Sequence, residues 1–369
     1  EVVPLDTLNS FDQKCVDLLS RLVFWSATET TSAQNPVHEL TMFSPGQRQH
    51  FLEIANSHHV VVRALSVLEQ QAILQNKNEL GAWAEAVLNT ERLRIERGLA
   101  WLDRVVGAFA ESSAQVTTIK TLDHWPDFGS DMDLYTTASE SALMRIFTQK
   151  LKARPEPRSW GDRLARKWNF ALPGLPELVE IHSQRLGQTG EQTLVAKRFL
   201  SRRTFKDLDG RSFPVPAPEE RVLVATLQRM YRHFYFRLSD ILNTAALVDS
   251  GSLDFTELRR AANLGGIWPG TSAYLKIVSD YVARYRGVPL ALPEEVREAA
   301  SFGGEKLEVR KCFLRVPIVP EGASLYARQM RQTALSGNLP AALRLSLLPP
   351  LASIAALSYR LTGSDKGIW

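Results

Sequence analysis

Along residues 5 to 112 apolar positions recur every three or four residues, the period of a helix that buries one face. "FDQKCVDLLSRLVFWSA" sets Phe11, Cys15, Leu18, Leu22 and Phe24/Trp25 near one such face. "PGQRQHFLEIANSHHVVVRALSVLEQQAIL" follows Ser44, a cap candidate, with Pro45 in the first turn. "ELGAWAEAVLNTERLRIERGLAWLDRVVGAFA" carries Trp83, Val87, Leu93, Ile95, Leu99, Leu102, Val106 and Phe109 at mixed spacing. His58 and His59 fall inside the second of these helices. Adjacent helical residues do not face one another, so the pair does not read as a metal site.

From about residue 115 the period shortens. Strands are expected at about 115–120, 131–137 and 177–184, with the helix "ESALMRIFTQKL" between the second and third. "RRTFKDLDGRSFPVPAP" predicts a hairpin turned at Asp209-Gly210. Helices resume at Pro218, where Val222, Thr226, Met230, Phe234, Leu238, Ile241 and Ala245 form one stripe through residue 248. "DFTELRRAANLGG" and "GTSAYLKIVSDYVARYRG" follow as two more helices, then Pro-rich segments near 288–293 and 317–320. The expected class is α+β: a helical region over 1–112, a core with a small mixed sheet over 113–217, and a helical domain over 218–369.

Composition narrows this little. With 369 residues, 44% hydrophobic and 23% charged, the chain can bury an ample core as a soluble protein. A net charge of +4 is too mild to indicate nucleic acid by itself. Cys15 and Cys312 show no ligand spacing and read as thiols in a reducing compartment, so a cytoplasmic location is expected. The apolar stretch Leu343 to Leu361 is broken by Arg344 and Pro349-Pro350, which predicts a docked helix and no membrane span.

The chemistry concentrates in "TIKTLDHWPDFGSDMDLYTTA", residues 118 to 138. In a strand, Asp131 and Asp133 project from one face while Met132 and Leu134 point the other way. Two like charges held together need a cation between them, and a divalent metal is the obvious candidate. "LPELVEIHSQ" repeats the design: Val179 and Ile181 alternate with Glu180 and His182, which share the opposite face. Two carboxylates on one strand, a third on a later strand and Lys120 before the loop suit transfer of a phosphoryl or nucleotidyl group. That chemistry needs an anionic cage to hold Mg²⁺ against a polyphosphate.

These segments resemble the nucleotidyltransferase superfamily of DNA polymerase β type, in which a first strand ends at a Gly-Ser turn, a D-x-D follows and a third acidic residue lies on a later strand. "IKTLDHWPD…SDMDLY", "LVEIHSQ" and "PAPEERVL…RHFYFRLSDILNTAALV" are more closely similar to a divergent bacterial branch with Leu-Lys-Gly as its first motif, "DIDLLV" and "ELH". The resemblance spans roughly residues 115 to 285. It implies a nucleotidyltransferase core in which Asp131, Asp133 and Glu180 are catalytic and hold Mg²⁺ or Mn²⁺, with Glu180 a candidate general base. Lys120 falls where the Gly-Ser turn would be. It and Thr121 are then the expected grip on the phosphates, since Gly129-Ser130 sits directly against the D-x-D. Ser130 would bond a phosphate or orient Asp131, and His182 would orient Glu180 or simply pack.

On the expected helix through residue 248, Arg229, His233 and Arg237 recur at four-residue steps. They are candidates for nucleotide contact, or for an ion-pair network with Arg237 held to Asp240. The basic run from Arg145 to Lys167 reads as a solvated face, with steering of anionic substrate or contact with an anionic acceptor such as RNA as the lesser alternatives. The implied activity moves an NMP, such as AMP, from an NTP to a hydroxyl acceptor. That acceptor is left open between a small molecule, a protein side chain and a tRNA end. The rivals are a catalytically degenerate nucleotide- or partner-binding module of the same fold, and a helical interaction protein in which the D-x-D is incidental.

Overall fold

The computed structural model describes residues 5–25 and 35–362; the helical expectation over 26–34 lies outside the described residues. The class is α+β, with a mixed five-stranded sheet set among helices. Its strands are β1 (Val116–Thr118), β2 (Asp131–Thr136), β3 (Arg154–Pro155), β4 (Lys167–Ala171) and β5 (Leu178–Ser183), in the order β1-β2-β5-β4-β3. Strands β2 and β5 run parallel, and the other pairs are antiparallel. The alternation that predicted β2 and β5 decides their facing: Met132, Leu134, Val179 and Ile181 are fully buried, while Asp131, Asp133 and Glu180 are half-buried. One continuous apolar core runs from Cys15 through the sheet to Leu325.

The helix Asn78–Glu111 positions the head of β2. At Gly98 a Cβ would lie 2.8 Å from Phe128 Cε1, so only glycine allows this approach. One turn earlier, Arg94 donates to the carbonyls of Phe128 and Gly129 (3.1 and 3.3 Å) and to Glu177 Oε1 (2.7 Å). A single guanidinium thus ties together the segments that lead into β2 and β5. In the same loop, Asp127 accepts from the Val62 and Arg63 amides (2.6 and 3.2 Å), capping the helix Val61–Leu74, which has no side-chain cap of its own. Burial nevertheless pushes the Asp127 carboxyl up to about 7.

The hairpin forms as expected from β6 (Arg203–Leu208) and β7 (Arg211–Pro216), with Asp209 and Gly210 both at positive φ (48° and 74°). The helices Phe255–Leu264 and Trp268–Arg286 are present, the first capped by Asp254 and the second closed by Gly287 at φ 77°.

Two predicted helices are broken. The run that starts at Pro45, with Ser44 and Gln47 forming a capping box, stops at Ser57 and restarts at Val61. Between them His58 Nε2 donates to Cys312 O (2.6 Å) and Nδ1 accepts from the Leu238 amide (2.9 Å). His58 is therefore a neutral structural tie between the N- and C-terminal regions.

The second break corrects the expectation of one helix from 218 to 248. The helix Pro218–Met230 ends, and Phe234 turns at φ 53°. Tyr235–Phe236 (β8) then pairs with β10 (Phe313–Arg315), whose other neighbour is β9 (Glu308–Arg310), and a new helix runs Leu238–Asp249. The extended segment seats Phe236 in the core against Tyr274, with ring centroids 5.3 Å apart. Asp240 restarts the helix by accepting from the Arg237 amide at 2.7 Å.

The C-terminal stretch forms helices Leu339–Leu345 and Leu348–Thr362, with Leu345 and Leu351 inward and Leu343, Ile354 and Leu357 exposed. No helix among the described residues is long and apolar enough to cross a membrane.

Candidate active site

The register of β2 and β5 sets Asp133 directly beside Glu180 and Tyr135 beside His182, so Asp131, Asp133, Glu180 and His182 emerge on one face of the sheet. Antiparallel β4 adds Lys167, opposite His182. Lys120 comes from the end of β1, at φ 64°. Its Nζ contacts Asp133 Oδ1 and lies 3.8 Å from Glu180 Oε1. Lys167 Nζ is 2.6 Å from Glu180 Oε2 and 3.6 Å from Asp162. His182 Nε2 is 2.7 Å from Glu180 Oε1 and 3.7 Å from Asp133 Oδ1.

The like charges therefore have cationic neighbours within the chain, Lys120 and Lys167, in addition to the divalent metal expected as the candidate cation. Each repelling pair costs about 4 kcal/mol at 4 Å near a protein surface, so two lysines are needed for the cluster to hold together unaided.

The electrostatics divide the carboxylates. Burial pushes Glu180 up, but Lys120, His182 and Lys167 outweigh it and hold the carboxyl well below the usual range. Asp131 is raised by burial first, then by Asp133 and Glu180, with Ser130 Oγ donating to its Oδ2 at 3.3 Å. Contact between these groups is close but poorly aligned. His182 Nδ1 is buried with no partner, and Asp133 Oδ1 and His182 Nε2 are held only by these ion contacts, with Lys120 and Glu180.

These atoms suit a cation. One ligand atom each from Asp133, Glu180 and His182 lies within 4.8 Å of the other two, and Asp131 is two residues away on the same face. Carboxylate oxygens suit Mg²⁺ or Mn²⁺, and the imidazole favours Mn²⁺ of the two.

The cluster opens on a cavity of about 230 Å³. Lys120, Arg229, Arg232, His233 and Arg237 line it together with the three carboxylates, Thr121 and Ser130. The break after Met230 thus keeps Arg229, His233 and Arg237 together, though on a turn and not along one helix face.

Asp240 pairs with Arg229 (Nε to Oδ2, 2.7 Å), while Arg237 makes no ion pair among the described residues. The proposed Arg237–Asp240 side-chain pair is therefore replaced by a backbone cap. Burial and the neighbouring Arg229 lower the Arg237 guanidinium, so an anion in the cavity would relieve it. Burial, then Arg232, drives His233 down to about 2, and it stands as a neutral imidazole.

The Thr121 hydroxyl is already engaged: it accepts from the Asp133 amide (2.8 Å) and donates to Asp131 O (3.3 Å), bracing the D-x-D.

Several residues of the site escaped the sequence reading. His59 and His124 line the cavity as stacked rings 4.8 Å apart, both held neutral chiefly by burial. Gln228, Arg232 and Tyr235 complete the wall. Lys167 was hidden in the basic run; the alternation in "KWNFA" was the signal for its strand. The rest of that run is peripheral where its contacts are defined: Lys150 pairs with Glu111, Arg154 with Glu156, and Arg158 lies over Trp168.

In comparisons with known proteins, no family model matches the chain and no curated protein matches it in sequence.

Proposed function

We propose that this chain is a metal-dependent nucleotidyltransferase that moves an NMP, such as AMP, from an NTP to a hydroxyl acceptor and releases pyrophosphate. One observation carries the reading. Asp131 and Asp133, with Glu180 beside them on a parallel strand, share one polar cavity with Lys120, Arg229, Arg232 and Arg237. A cavity lined by both carboxylates and cations fits a polyphosphate with its counter-ion, and neither set alone would.

Asp131, Asp133, Glu180 and His182 would hold one or two Mg²⁺ or Mn²⁺ ions, which would screen the triphosphate and acidify the acceptor hydroxyl. Arg229, Arg232 and Arg237 bind the phosphates, and Lys120, once released from Asp133, joins them. The acceptor oxygen forms the new bond to the α-phosphorus. The bond to the bridging oxygen breaks, pyrophosphate leaves with the electron pair, and the proton passes to a carboxylate of the cluster. Neutral His59 and His124 add hydrogen-bonding groups without adding charge.

A second reading draws on the same cluster. Because Lys120 and Lys167 already neutralise Asp133 and Glu180, the chain could be a degenerate module that binds nucleotide without metal or chemistry. The test is incubation with each α-radiolabelled NTP, Mg²⁺ or Mn²⁺ and a cell extract. A labelled product that disappears with EDTA and in Asp133→Asn supports transfer. NTP stabilisation that is equal in EDTA and in metal, with no product, supports the degenerate module.

A further inference from the structure

A second cavity, of about 500 Å³, adjoins the carboxylate site. The two share Lys120, Gln228, Arg232 and His233, so they are neighbours across these four side chains. The character of the walls changes between them. Leu186, Val224, Leu227, Ile318, Leu345 and Leu348 line the second cavity, drawn from the loop after β5, the helix Pro218–Met230 and the C-terminal segments.

The wall after β5 is preformed. Glu191 Oε2 accepts from the Thr189 amide and hydroxyl (both 3.1 Å). Gly187, at φ 89°, leaves room for that carboxylate where a Cβ would sit 2.1 Å from Oε1. A cavity with aliphatic walls holds ordered water poorly, and its volume falls in the range of roughly 300–1,000 Å³ typical of small-molecule sites.

Polar side chains, among them Lys120, Gln228, Arg232 and His233, line the part shared with the carboxylate site, while aliphatic carbon makes up most of the remaining wall. Glu191 is satisfied by Thr189, but the Gln329 side chain lines the cavity and its Nε2 is buried with no partner. Against the wall of Leu186, Val224, Leu227, Ile318, Leu345 and Leu348 a nucleobase would leave its polar edges unpaired. An apolar body with one hydrogen-bond acceptor for Gln329 would not. At the other end, His182, which touches Glu180, also lines the wall, so a terminal hydroxyl there lies beside the carboxylates.

We propose that this cavity holds the acceptor of the transfer, and that the acceptor is a small alcohol with an extended apolar body. The inference rests on the nucleotidyl-transfer reading and narrows its acceptor. The alcohol oxygen forms the bond to the α-phosphorus of the NTP, pyrophosphate leaves, and the product is an apolar chain capped by a nucleoside monophosphate. Ile318, 60% exposed, stands at the mouth, where a longer chain would emerge.

The experiment uses tritiated n-dodecanol as the probe, on the full chain, in equilibrium dialysis. In EDTA and without nucleotide, one equivalent is expected to bind. Ala352→Trp places a ring at an exposed position of the lining, and Leu348→Asp places a charge at a half-buried one. Each should weaken binding at least about tenfold with the melting temperature retained. Adding α,β-methylene-ATP with Mn²⁺ should leave the dodecanol bound.

Absence of binding, or undiminished binding in both variants, overturns the proposal. Displacement by the analogue also overturns it and assigns the cavity to the nucleoside. A chain that binds dodecanol but no analogue with either metal overturns the transfer reading, and with it the acceptor role, while leaving an apolar-ligand site in place.

Discussion

Two clusters of mixed charge lie in this chain, and they are finished to different degrees. In the first, Arg198 donates to Glu220 (2.8 Å) and to Glu257, and Arg202 donates to Glu219 (2.8 Å) and Glu220 (3.3 Å). Glu219 also accepts from the Asp254 amide at 2.9 Å. None of these five side chains has a buried polar atom without a partner. The second cluster, around Asp133, Glu180 and His182, leaves His182 Nδ1 without a partner, holds Asp133 Oδ1 and His182 Nε2 by ion contacts alone, and opens on a cavity. Glu220 is fully buried, so exposure does not explain the contrast. A buried charge cluster whose hydrogen-bonding capacity is used up is a staple between helices. One left with an orphaned atom beside an open space is arranged for a ligand.

The most severe way to break this comparison is Glu220→Ala. It removes the fully buried carboxylate between Arg198 and Arg202, leaving a gap and only the partly exposed Glu257 for Arg198, and should cost about 3 kcal/mol in chemical denaturation. Asp133→Asn should move the stability of the metal-free chain by less than about 1 kcal/mol, because Lys120 still has Glu180 nearby. Equal losses in the two variants would make both clusters structural.

The activities should rank the other way. Asp133→Asn and Glu180→Gln are each expected to lower transfer by at least about 100-fold, a loss of about 2.7 kcal/mol. The double variant should be little worse than either single one, since both disable the same cage. Transfer retained in Asp133→Asn would remove the cage from the chemistry.

A gentler probe adds only the ion. At about 100 times its dissociation constant, Mn²⁺ should stabilise the chain by about 2.7 kcal/mol, a gain read as a thermal shift that Asp133→Asn abolishes. If Mn²⁺ stabilises both equally, it binds elsewhere.

The last probe tests a residue outside both clusters. Burial lowers His58 from 6.5 to about 4, so the unfolded chain binds more protons between those values. Its contribution to stability is complete above pH 6.5 and is lost as pH falls toward 4. The slope is at most about 1.4 kcal/mol per pH unit. His58→Gln should flatten the measured stability–pH curve by that amount in that window, leaving the pH dependence owed to the remaining groups. An unchanged slope would mean that the His58 imidazole protonates freely in the folded chain.

Much of the site was legible because its signals are local. Alternation over residues 131–136 and 178–183 set the facing of Asp131, Asp133, Glu180 and His182 before any partner strand was known. Asp209-Gly210 and the cap at Ser44 depend on neighbouring residues alone, and they formed where expected.

What only the tertiary structure decided is everything that needs two distant segments to meet. The stripe from Val222 to Ala245 has an unbroken helical period, yet the chain leaves the helix at Tyr231 because Phe236 and β10 make an extended segment the better-buried choice. Lys167 reaches Glu180 only because β4 pairs antiparallel to β5, a register not encoded in either segment by itself. Arg94 clamps Phe128, Gly129 and Glu177 from a helix whose own pattern marks it only as a polar position. Local propensity and period reach a few residues along the chain. The sequence by itself could therefore place carboxylates on a face, and packing chose which cations stand opposite them.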